Sequence, residues 1–368
     1  MSQYPFNDDH NMIRDAVRGW LSVWSDNDLT LHKIAEAADG YENGFDRQAW
    51  RGFAQEQGLA GVSISENYGG AGLGLLGRAV IMEETGYTLF SAPFFSTCVL
   101  ATDIIEAFAD ADSKTDLLGH IAAGEIILAV ADGRACLKHD KGRITGTVKP
   151  VMNGGIADKI LLVVPSNESD GGIELLLTTP DVAGISLTQL PSIDLTRQMS
   201  ALTCDIAEQD TQRIGHGKAV QFDAVWSIAL GALAAECVGG AQRCLDLTLD
   251  YTAQRVQFDR PVASFQAVKH RCADMFVAIE SARSAAYYAA AAPAEEQREA
   301  ALIARPYAAD RFFSVAGDAI QMHGGIGFTW DYPLHYFFKR ARANRALFTS
   351  AEASYDKLAA LIFEESGT

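Results

Sequence analysis

Apolar residues recur at helical spacing near the start of the chain. Between Asp8 and Trp24, five apolar side chains fall on one helical face, namely Ile13, Val17, Trp20, Leu21 and Trp24. Such spacing is typical of an amphipathic helix that buries one side. A glycine-rich break at residues 69–74 precedes a second helical stretch through Ile81 and Glu84. We therefore predict an N-terminal helical domain over residues 1–125.

The period changes in the middle of the chain. Short apolar runs at residues 126–130, 159–164 and 173–177 are separated by clusters of turn-forming residues, which is typical of β-strands. No helix-length pattern lies between these runs, so antiparallel pairing in a small barrel or sandwich is favoured over parallel βαβ units. We predict a middle β domain over residues 126–224.

The remainder is helical and rich in alanine. Four long helices are predicted, at residues 228–251, 265–292, 295–322 and 336–363. Helices of this length usually pack as an antiparallel bundle, often across subunits. Pro306 lies inside the third of them, so a kink or break is expected there. The predicted fold class is mainly α with a β insert, and the C-terminal helical bundle covers residues 225–368.

Composition narrows the possible roles of the chain. Its 368 residues exceed what one compact core usually holds, so two or three packed units are expected. Lys and Arg total 30 against 47 Asp and Glu, which gives a net charge of −17. A field of that sign disfavours nucleic acid and anionic membrane surfaces as partners. The six cysteines show no metal-ligand spacing, and neither a secretory signal nor a bilayer-spanning stretch is evident, so a cytoplasmic location is expected.

Two segments have the chemistry of a nucleotide site. The turn Gly324-Gly325-Ile326-Gly327 joins two predicted helices, and its N–H groups suit an anion such as a pyrophosphate. The alternative is a tight interhelical turn. The segment from Arg255 to Gln266 places two arginines beside an aromatic ring, which suits a pyrophosphate and a stacked base, or else forms a solvated loop.

Other motifs are weak. The glycines between Gly58 and Leu73 follow no strand and precede no Lys-Ser/Thr pair, so they predict a structural turn. The eight histidines are scattered, without GxSxG or HExxH, and each is interpreted as a surface or packing residue. Hydrolase and metal chemistry therefore have no support.

Taken together, these segments resemble the acyl-CoA dehydrogenases over nearly the whole chain. The matching text comprises Gly58-Leu59 through Tyr68-Gly69-Gly70, Arg255-x-Gln257-Phe258-x-x-Pro261 with Phe265-Gln266, and Gln321-x-His323-Gly324-Gly325-x-Gly327-Phe328-Thr329. The resemblance implies that family's fold, FAD as cofactor, α,β-dehydrogenation of an acyl-CoA thioester, and an electron-transfer flavoprotein as electron acceptor. It also implies a nucleotide arm that reaches the FAD of a neighbouring subunit. The implied arm residues are Arg255, Gln257, Phe258, Gln266, Gln321, Gly324 and Gly325.

The parts of the family's site that face the flavin ring are altered. A Glu-Pro-x-Ala-Gly-Ser-Asp-like loop is expected after the first β-strand, but residues 131–137 leave no room for it. Residues 150–154 stand where the family usually has Trp-Ile-Thr-Asn-Gly. The family's catalytic Glu falls at Phe348, or in other members near Ala229 or Leu230, so no catalytic residue is assigned. The nearest carboxylates, Glu236 and Glu352, are interpreted as structural.

Three functional readings follow from the resemblance. In the first, the chain is one subunit of a heteromeric acyl-CoA dehydrogenase, and a second dehydrogenase subunit carries the base. Such paired subunits in this family include bacterial enzymes that desaturate steroid side-chain CoA thioesters. In the second, the chain forms a self-sufficient homotetramer with an atypical base. In the third, it is a scaffold that binds no flavin, which the retained arm disfavours.

Overall fold

The computed structural model describes residues 6–25, 29–35, 44–167 and 171–366. Helices dominate both ends of this part of the chain. They are α1 Asp8–Trp24, α2 Leu29–Ala35, α3 Arg47–Arg51, α4 Gly74–Thr88, α5 Thr102–Phe108, α6 Ala111–Ala122, α7 Ala219–Gln254, α8 Gln266–Ala291, α9 Gln297–His323, α10 Leu334–Asn344 and α11 Ala351–Ser366. Two π-helical segments, Gly52–Glu56 and Phe94–Ala101, extend α3 and precede α5.

The strands lie mainly in the middle of the chain. They are β1 Leu128–Asp132, β2 Leu137–Asp140, β3 Arg143–Met152, β4 Lys159–Pro165, β5 Gly172–Thr178, β6 Ile185–Gln189, β7 Met199–Ala207, β8 Gln212–Lys218, β9 Val256–Gln257 and β10 Arg260–Pro261. The predicted order of helices, a β insert and a helical bundle is confirmed, as are the limits of α1.

The backbone divides into two compact units. One unit, the helical unit, comprises residues 1–36, 75–90 and 230–368; the other, the β unit, comprises residues 37–74 and 91–229. Both units are discontinuous in sequence. The three-part division at residues 125 and 224 stays a prediction about domains.

Close backbone contact between α4 and α7 organises the helical unit. A Cβ atom on Gly86 would lie 2.1 Å from the carbonyl oxygen of Glu236, and one on Gly239 would lie 1.8 Å from that of Glu83. Only glycine permits helices to approach this closely. Around this pair, α8 packs along α9, and α9 also contacts α10 and α11.

The β unit contains two four-stranded sheets. Their strand orders are β1-β4-β5-β8 and β2-β3-β7-β6. The predicted β insert is confirmed, and the other strand pairs of the two sheets are antiparallel, as favoured from the sequence. The exception is β1 with β4, which pair in parallel. After β1 the chain forms the β2–β3 hairpin in the other sheet before it returns, so β4 runs in the same direction as β1.

The predicted structural turn between Gly58 and Leu73 lies in the β unit and carries close backbone contacts. A Cβ atom on Gly70 would lie 2.1 Å from the carbonyl oxygen of Ile64. The N–H groups of Ala71 and Gly72 donate to the carbonyls of Gly61 and Ile64 at 3.0 and 2.8 Å. The loop's N–H groups at these two positions are thus used within the chain rather than offered to a phosphate.

Two helix predictions need correction. The expected helix at residues 336–363 is two helices, α10 and α11, because Phe348 adopts a left-handed φ of 62° and Ser350 caps α11 through its hydroxyl. Pro306 does not break α9, which continues from Gln297 to His323. The residues of α9 before and after Pro306 are largely buried, and this packing tolerates the loss of the one hydrogen bond that a proline cannot donate.

One described helix, α7, has the length and hydropathy that a membrane span requires. In its most apolar window, 78% of the residues are buried within the protein. This is the burial expected of a core helix rather than of one facing lipid.

Candidate functional site

The segment from Arg255 to Gln266 forms a tight hairpin between α7 and α8. Strands β9 and β10 pair with Gln257 opposite Arg260, which leaves Phe258 and Asp259 as a two-residue loop. Both loop residues have left-handed φ values, 55° and 60°. Such values suit a type I′ hairpin turn, but they cost about 1 kcal/mol or more for a non-glycine residue. A phenylalanine held in this conformation indicates a functional constraint on its position.

The seven residues assigned to the nucleotide arm share one property, which is exposure. Phe258, an apolar residue, has 85% of its surface accessible. The others are also exposed, namely Arg255, Gln257, Gln266, Gln321, Gly324 and Gly325. These residues are therefore accessible from outside the chain, although the N–H groups of Arg255 and Gly324 donate to carbonyls within it.

The two leading glycines of the 324–327 turn are not required by packing. Cβ atoms placed on Gly324 or Gly325 would meet nothing within 4 Å. Gly324 needs to be glycine because its φ is 63° with ψ at −139°, a conformation open essentially to glycine alone. Gly325 has no such backbone reason. Space above Gly325 is therefore available to something outside this chain.

A buried aromatic contact brings the two arm segments to the same end of the bundle. Tyr251, in the last turn of α7, stacks on His323 at the end of α9 with ring centroids 4.4 Å apart. His323 Nδ1 lies 2.8 Å from the carbonyl of Ala319, and Nε2 lies 3.1 Å from the hydroxyl of Tyr332. Burial lowers the pKa of His323 below its usual value. Sequence reasoning treated this histidine as packing, and it missed Tyr251 as the residue that links both segments.

Further apolar side chains surround the arm on the exposed surface. Four of them are more than a third exposed: Val256 at 55%, Ile326 at 41%, Phe328 at 75% and Trp330 at 57%. Arg260 places its guanidinium 4.0 Å from the ring centroid of Phe265. Clustered exposed apolar groups of this kind mark interaction surfaces in proteins.

The positions expected to carry a catalytic base have no carboxylate. Phe348 lies in the break between α10 and α11, where the N–H of Thr349 donates to the carbonyl of Leu347 at 2.8 Å. Ala229 and Leu230 are buried in α7. Apolar side chains at these positions cannot remove a proton from a substrate.

The two nearest carboxylates have other roles. Glu236 is 6% exposed; Arg340 donates to its Oε1 at 2.8 Å and Asn344 to its Oε2 at 3.1 Å. Donors on both oxygens make it half of a buried ion pair. Glu352 is exposed in the first turn of α11, where its own N–H and the Ser350 side chain lower its pKa. Acidic residues in that position stabilise a helix.

The segment that replaces the expected loop after β1 is a four-residue turn held by Arg134. Its guanidinium contacts both oxygens of Asp132, at 2.8 and 2.9 Å, and Asp223 at 3.0 Å. It also lies 4.3 Å from the ring centroid of Phe222. These polar groups are therefore engaged with one another within the β unit.

Family models match both ends of this sequence. Residues 7–125 match the acyl-CoA dehydrogenase N-terminal domain, and residues 230–360 match the acyl-CoA dehydrogenase C-terminal domain. The acyl-CoA dehydrogenase IpdE2 of Mycolicibacterium smegmatis is 32% identical over 331 residues, covering 90% of this chain and 93% of the relative. The chain belongs to the acyl-CoA dehydrogenase family. Members of this family are FAD-dependent oxidoreductases.

Solved acyl-CoA dehydrogenase structures agree over the whole length. A variant of the steroid acyl-CoA dehydrogenase Tcur3481-Tcur3483 is 27% identical, with a TM-score of 0.83 over 98% of this chain and 99% of that one. The ChsE4-ChsE5 complex of Mycobacterium tuberculosis gives a TM-score of 0.85 at 24% identity, over 99% of each chain. The acyl-CoA dehydrogenase fold is thus shown, whereas the roles of the seven arm residues stay predictions.

Proposed function

We propose that this chain is the arm-donating subunit of a heteromeric, FAD-dependent acyl-CoA dehydrogenase. The observation that carries the proposal is the contrast between an intact, fully exposed arm and base positions occupied by Phe348, Ala229 and Leu230. A subunit that served its own catalytic centre would need the base. A subunit that serves its neighbour's centre needs only the arm.

The arm residues fit a dinucleotide. Arg255 suits a charge-assisted hydrogen bond to a pyrophosphate oxygen, and the N–H group of Gly325 suits the same anion. The N–H group of Gly324 donates to the carbonyls of Ile320 and Gln321 within the chain. Phe258 presents an accessible ring for stacking, while the amides of Gln257, Gln266 and Gln321 can donate and accept hydrogen bonds. The open space above Gly325 is where a ligand could approach the backbone closely.

FAD, when bound, supplies the hydride acceptor for α,β-dehydrogenation of an acyl-CoA thioester. The contribution of this chain is to bind and orient the nucleotide end, while the partner provides the carboxylate that removes the α-proton. Electrons would then pass to an electron-transfer flavoprotein. Because Glu236 is saturated by Arg340 and Asn344, it has no part in the proton transfer.

A steroid-type acyl-CoA is the substrate class that we infer. Support comes from the likeness to the steroid acyl-CoA dehydrogenase structure, which is 27% identical over nearly the full chain. Turnover of the assembled enzyme should be measured with a panel of CoA thioesters that carry straight, branched and steroid acyl groups. Preference for a straight-chain acyl group would contradict this substrate class while leaving the arm-donating role intact.

Purification with and without a partner tests the arm-donating role. The chain alone should be colourless and inactive. Co-expression with an acyl-CoA dehydrogenase chain that carries the catalytic Glu should give a yellow complex with about one FAD per two chains. A yellow homotetramer that dehydrogenates an acyl-CoA would establish the self-sufficient alternative, and a complex without flavin would establish the scaffold alternative.

A further inference from the structure

We propose a divalent cation site in the β unit, with a preference for Zn²⁺, formed by His139, Glu174 and Glu208. Each residue offers one ligand atom, and these atoms all lie within 4.8 Å of one another. It is the one group of three or more potential metal-binding side chains found among the described residues. The site is separate from the proposed nucleotide arm, which belongs to the helical unit.

The three ligands come from three different elements. His139 lies on β2, Glu174 lies on β5 in the other sheet, and Glu208 follows β7. His139 Nδ1 is 3.6 Å from Glu174 Oε2, and Nε2 is 3.1 Å from Glu208 Oε2. Two ligand atoms on one tetrahedral Zn²⁺ lie roughly 3.4 Å apart, given metal–ligand distances of about 2.1 Å. The spacing between Nδ1 and Glu174 Oε2 is close to that value for an ion on Nδ1. Glu208 lies beside the other ring nitrogen and would reach the same ion after its exposed side chain turns.

The imidazole of His139 has unused bonding capacity. The residue is 7% exposed, and both ring nitrogens are buried without a hydrogen-bond partner. A buried polar atom without a hydrogen bond is costly, so such atoms usually have a partner of another kind. A metal ion on Nδ1, beside Glu174, supplies such a partner for that nitrogen, and the proton then stays on Nε2, from which a ligating histidine usually donates a hydrogen bond.

The carboxylates have the features of metal ligands. Glu174 is 2% exposed, and Ser166 donates to its Oε1 at 3.0 Å, which leaves Oε2 facing His139. A hydrogen bond to the second oxygen orients a ligating carboxylate. Glu208 is different, because its side chain is 47% exposed and has room to turn toward either ring nitrogen. The exposed ligand gives an ion a route from solvent.

Charge also favours a divalent ion. Two carboxylates beside one imidazole carry a net negative charge, and the carboxylate of Glu174 is buried, where a charge is costly unless it is compensated. A divalent cation with a neutral imidazole brings the cluster to zero. Nitrogen together with carboxylate oxygen ligands suits Zn²⁺ better than Mg²⁺ or Ca²⁺, which prefer oxygen alone. Bound in this place, the ion would crosslink the two sheets.

The proposal is tested by titrating Zn²⁺ into the purified chain, in whatever assembly it purifies. After treatment with a chelator and dialysis, calorimetry should show one Zn²⁺ per chain, and Co²⁺ used as a probe should give the visible absorption of a low-coordinate site. Zn²⁺ at about a hundred times its dissociation constant should raise the Tm by roughly 5 °C. None of these readouts requires flavin or a partner, so they are independent of the arm-donating role.

Three variants locate the ion. Glu208→Gln changes an exposed residue and should weaken Zn²⁺ binding about 10- to 100-fold without loss of folding. Glu174→Gln should abolish the Co²⁺ absorption. His120→Ala is the matched control, because His120 also lies between two carboxylates, Asp116 and Glu125, but on the exposed surface; it should leave binding unchanged.

The proposal is overturned if the wild-type chain binds no Zn²⁺, or if Glu208→Gln and Glu174→Gln bind it as tightly as wild type. It is also overturned if His120→Ala removes the bound ion.

Discussion

The arm residues and the positions expected to carry the catalytic base differ in whether their polar groups are exposed or paired within the chain. At the arm, Arg255 and the leading glycines of the 324–327 turn are exposed, and Phe258 is held in an unfavourable backbone conformation. At the base positions, side chains are apolar, and the nearest buried carboxylate, Glu236, is fully paired. The arm residues are accessible to contacts from outside the chain, whereas the positions expected to carry the base are filled by contacts within it. In the function that we propose, the nucleotide-binding half of the family's site is retained in this chain and the catalytic base is lost.

The variant Glu236→Gln is the strongest test of this difference between the two regions. Removal of one partner from a buried ion pair costs about 3 kcal/mol, so the Tm should fall by roughly 6–12 °C while kcat of the flavin-loaded assembly at low temperature stays unchanged. Differential scanning calorimetry and turnover assays measure the two effects. The control is Glu352→Gln, an exposed carboxylate whose loss should leave the Tm close to that of wild type.

A hundredfold loss of kcat in Glu236→Gln, with an unchanged Tm, would make this residue a base. The contrast between the two regions would then fail.

Arg255→Ala tests the other side of the comparison. Loss of a charge-assisted hydrogen bond to a pyrophosphate costs about 2 kcal/mol, so FAD should bind about tenfold or more weakly to the assembled enzyme. Flavin content after dilution and gel filtration measures the change. Arg143→Ala, which removes an exposed arginine paired with Asp205 in the β unit, should retain wild-type flavin content. Equal losses in both variants would indicate a nonspecific effect of charge.

Much of the fold could be predicted from the sequence because its signals are local. The helical face of α1 and the apolar runs of β4 and β5 are read directly from residue spacing. The break between α10 and α11 was missed, since no glycine or proline marks it and its local signal is the weaker one of Ser350 as the helix cap ahead of Glu352. The parallel pairing of β1 with β4 depends on where the β2–β3 hairpin packs, which is a tertiary property.

The candidate sites divide in the same way. The arm could be proposed from the sequence because its residues lie in two short motifs with a recognisable order, and its role stays a prediction. The cluster of His139, Glu174 and Glu208 could not be, because its members lie on separate elements with no spacing rule to connect them. Similarly, nothing local to Tyr251 indicates that it stacks on His323.

The variant Gly325→Ala tests the arm by adding a single methyl group to it. An added Cβ meets nothing within 4 Å in this chain, so the Tm should remain within about 2 °C of wild type. FAD should nevertheless bind several-fold more weakly, because the methyl group occupies the space where a nucleotide approaches the backbone. Thermal unfolding and flavin titration measure the two effects.

The matched control is Gly19→Ala, an equally open glycine within α1. It should raise stability slightly, by up to about 1 kcal/mol, and leave flavin binding unchanged. Unaltered flavin binding in Gly325→Ala would place the nucleotide elsewhere.

The smallest expected effect is the pH dependence of flavin retention, which we attribute to His323 at the end of α9. Burial lowers the pKa of His323, so the folded arm holds this ring neutral while the unfolded segment takes up a proton below about pH 6.5. The stability that the neutral ring contributes is therefore present above that pH and declines as the pH falls further. Flavin retention should drop by a few-fold between pH 7.5 and 5.5, in parallel with weaker Tyr251–His323 packing. His323→Asn, which cannot titrate, should bind flavin more weakly at all pH values but with a flatter profile, whereas His120→Ala should keep the wild-type slope. If flavin retention in His323→Asn depended on pH as steeply as in wild type, the pH dependence would arise away from the arm. The only remaining difference between the arm and the positions expected to carry the catalytic base would then be the exposure of the arm.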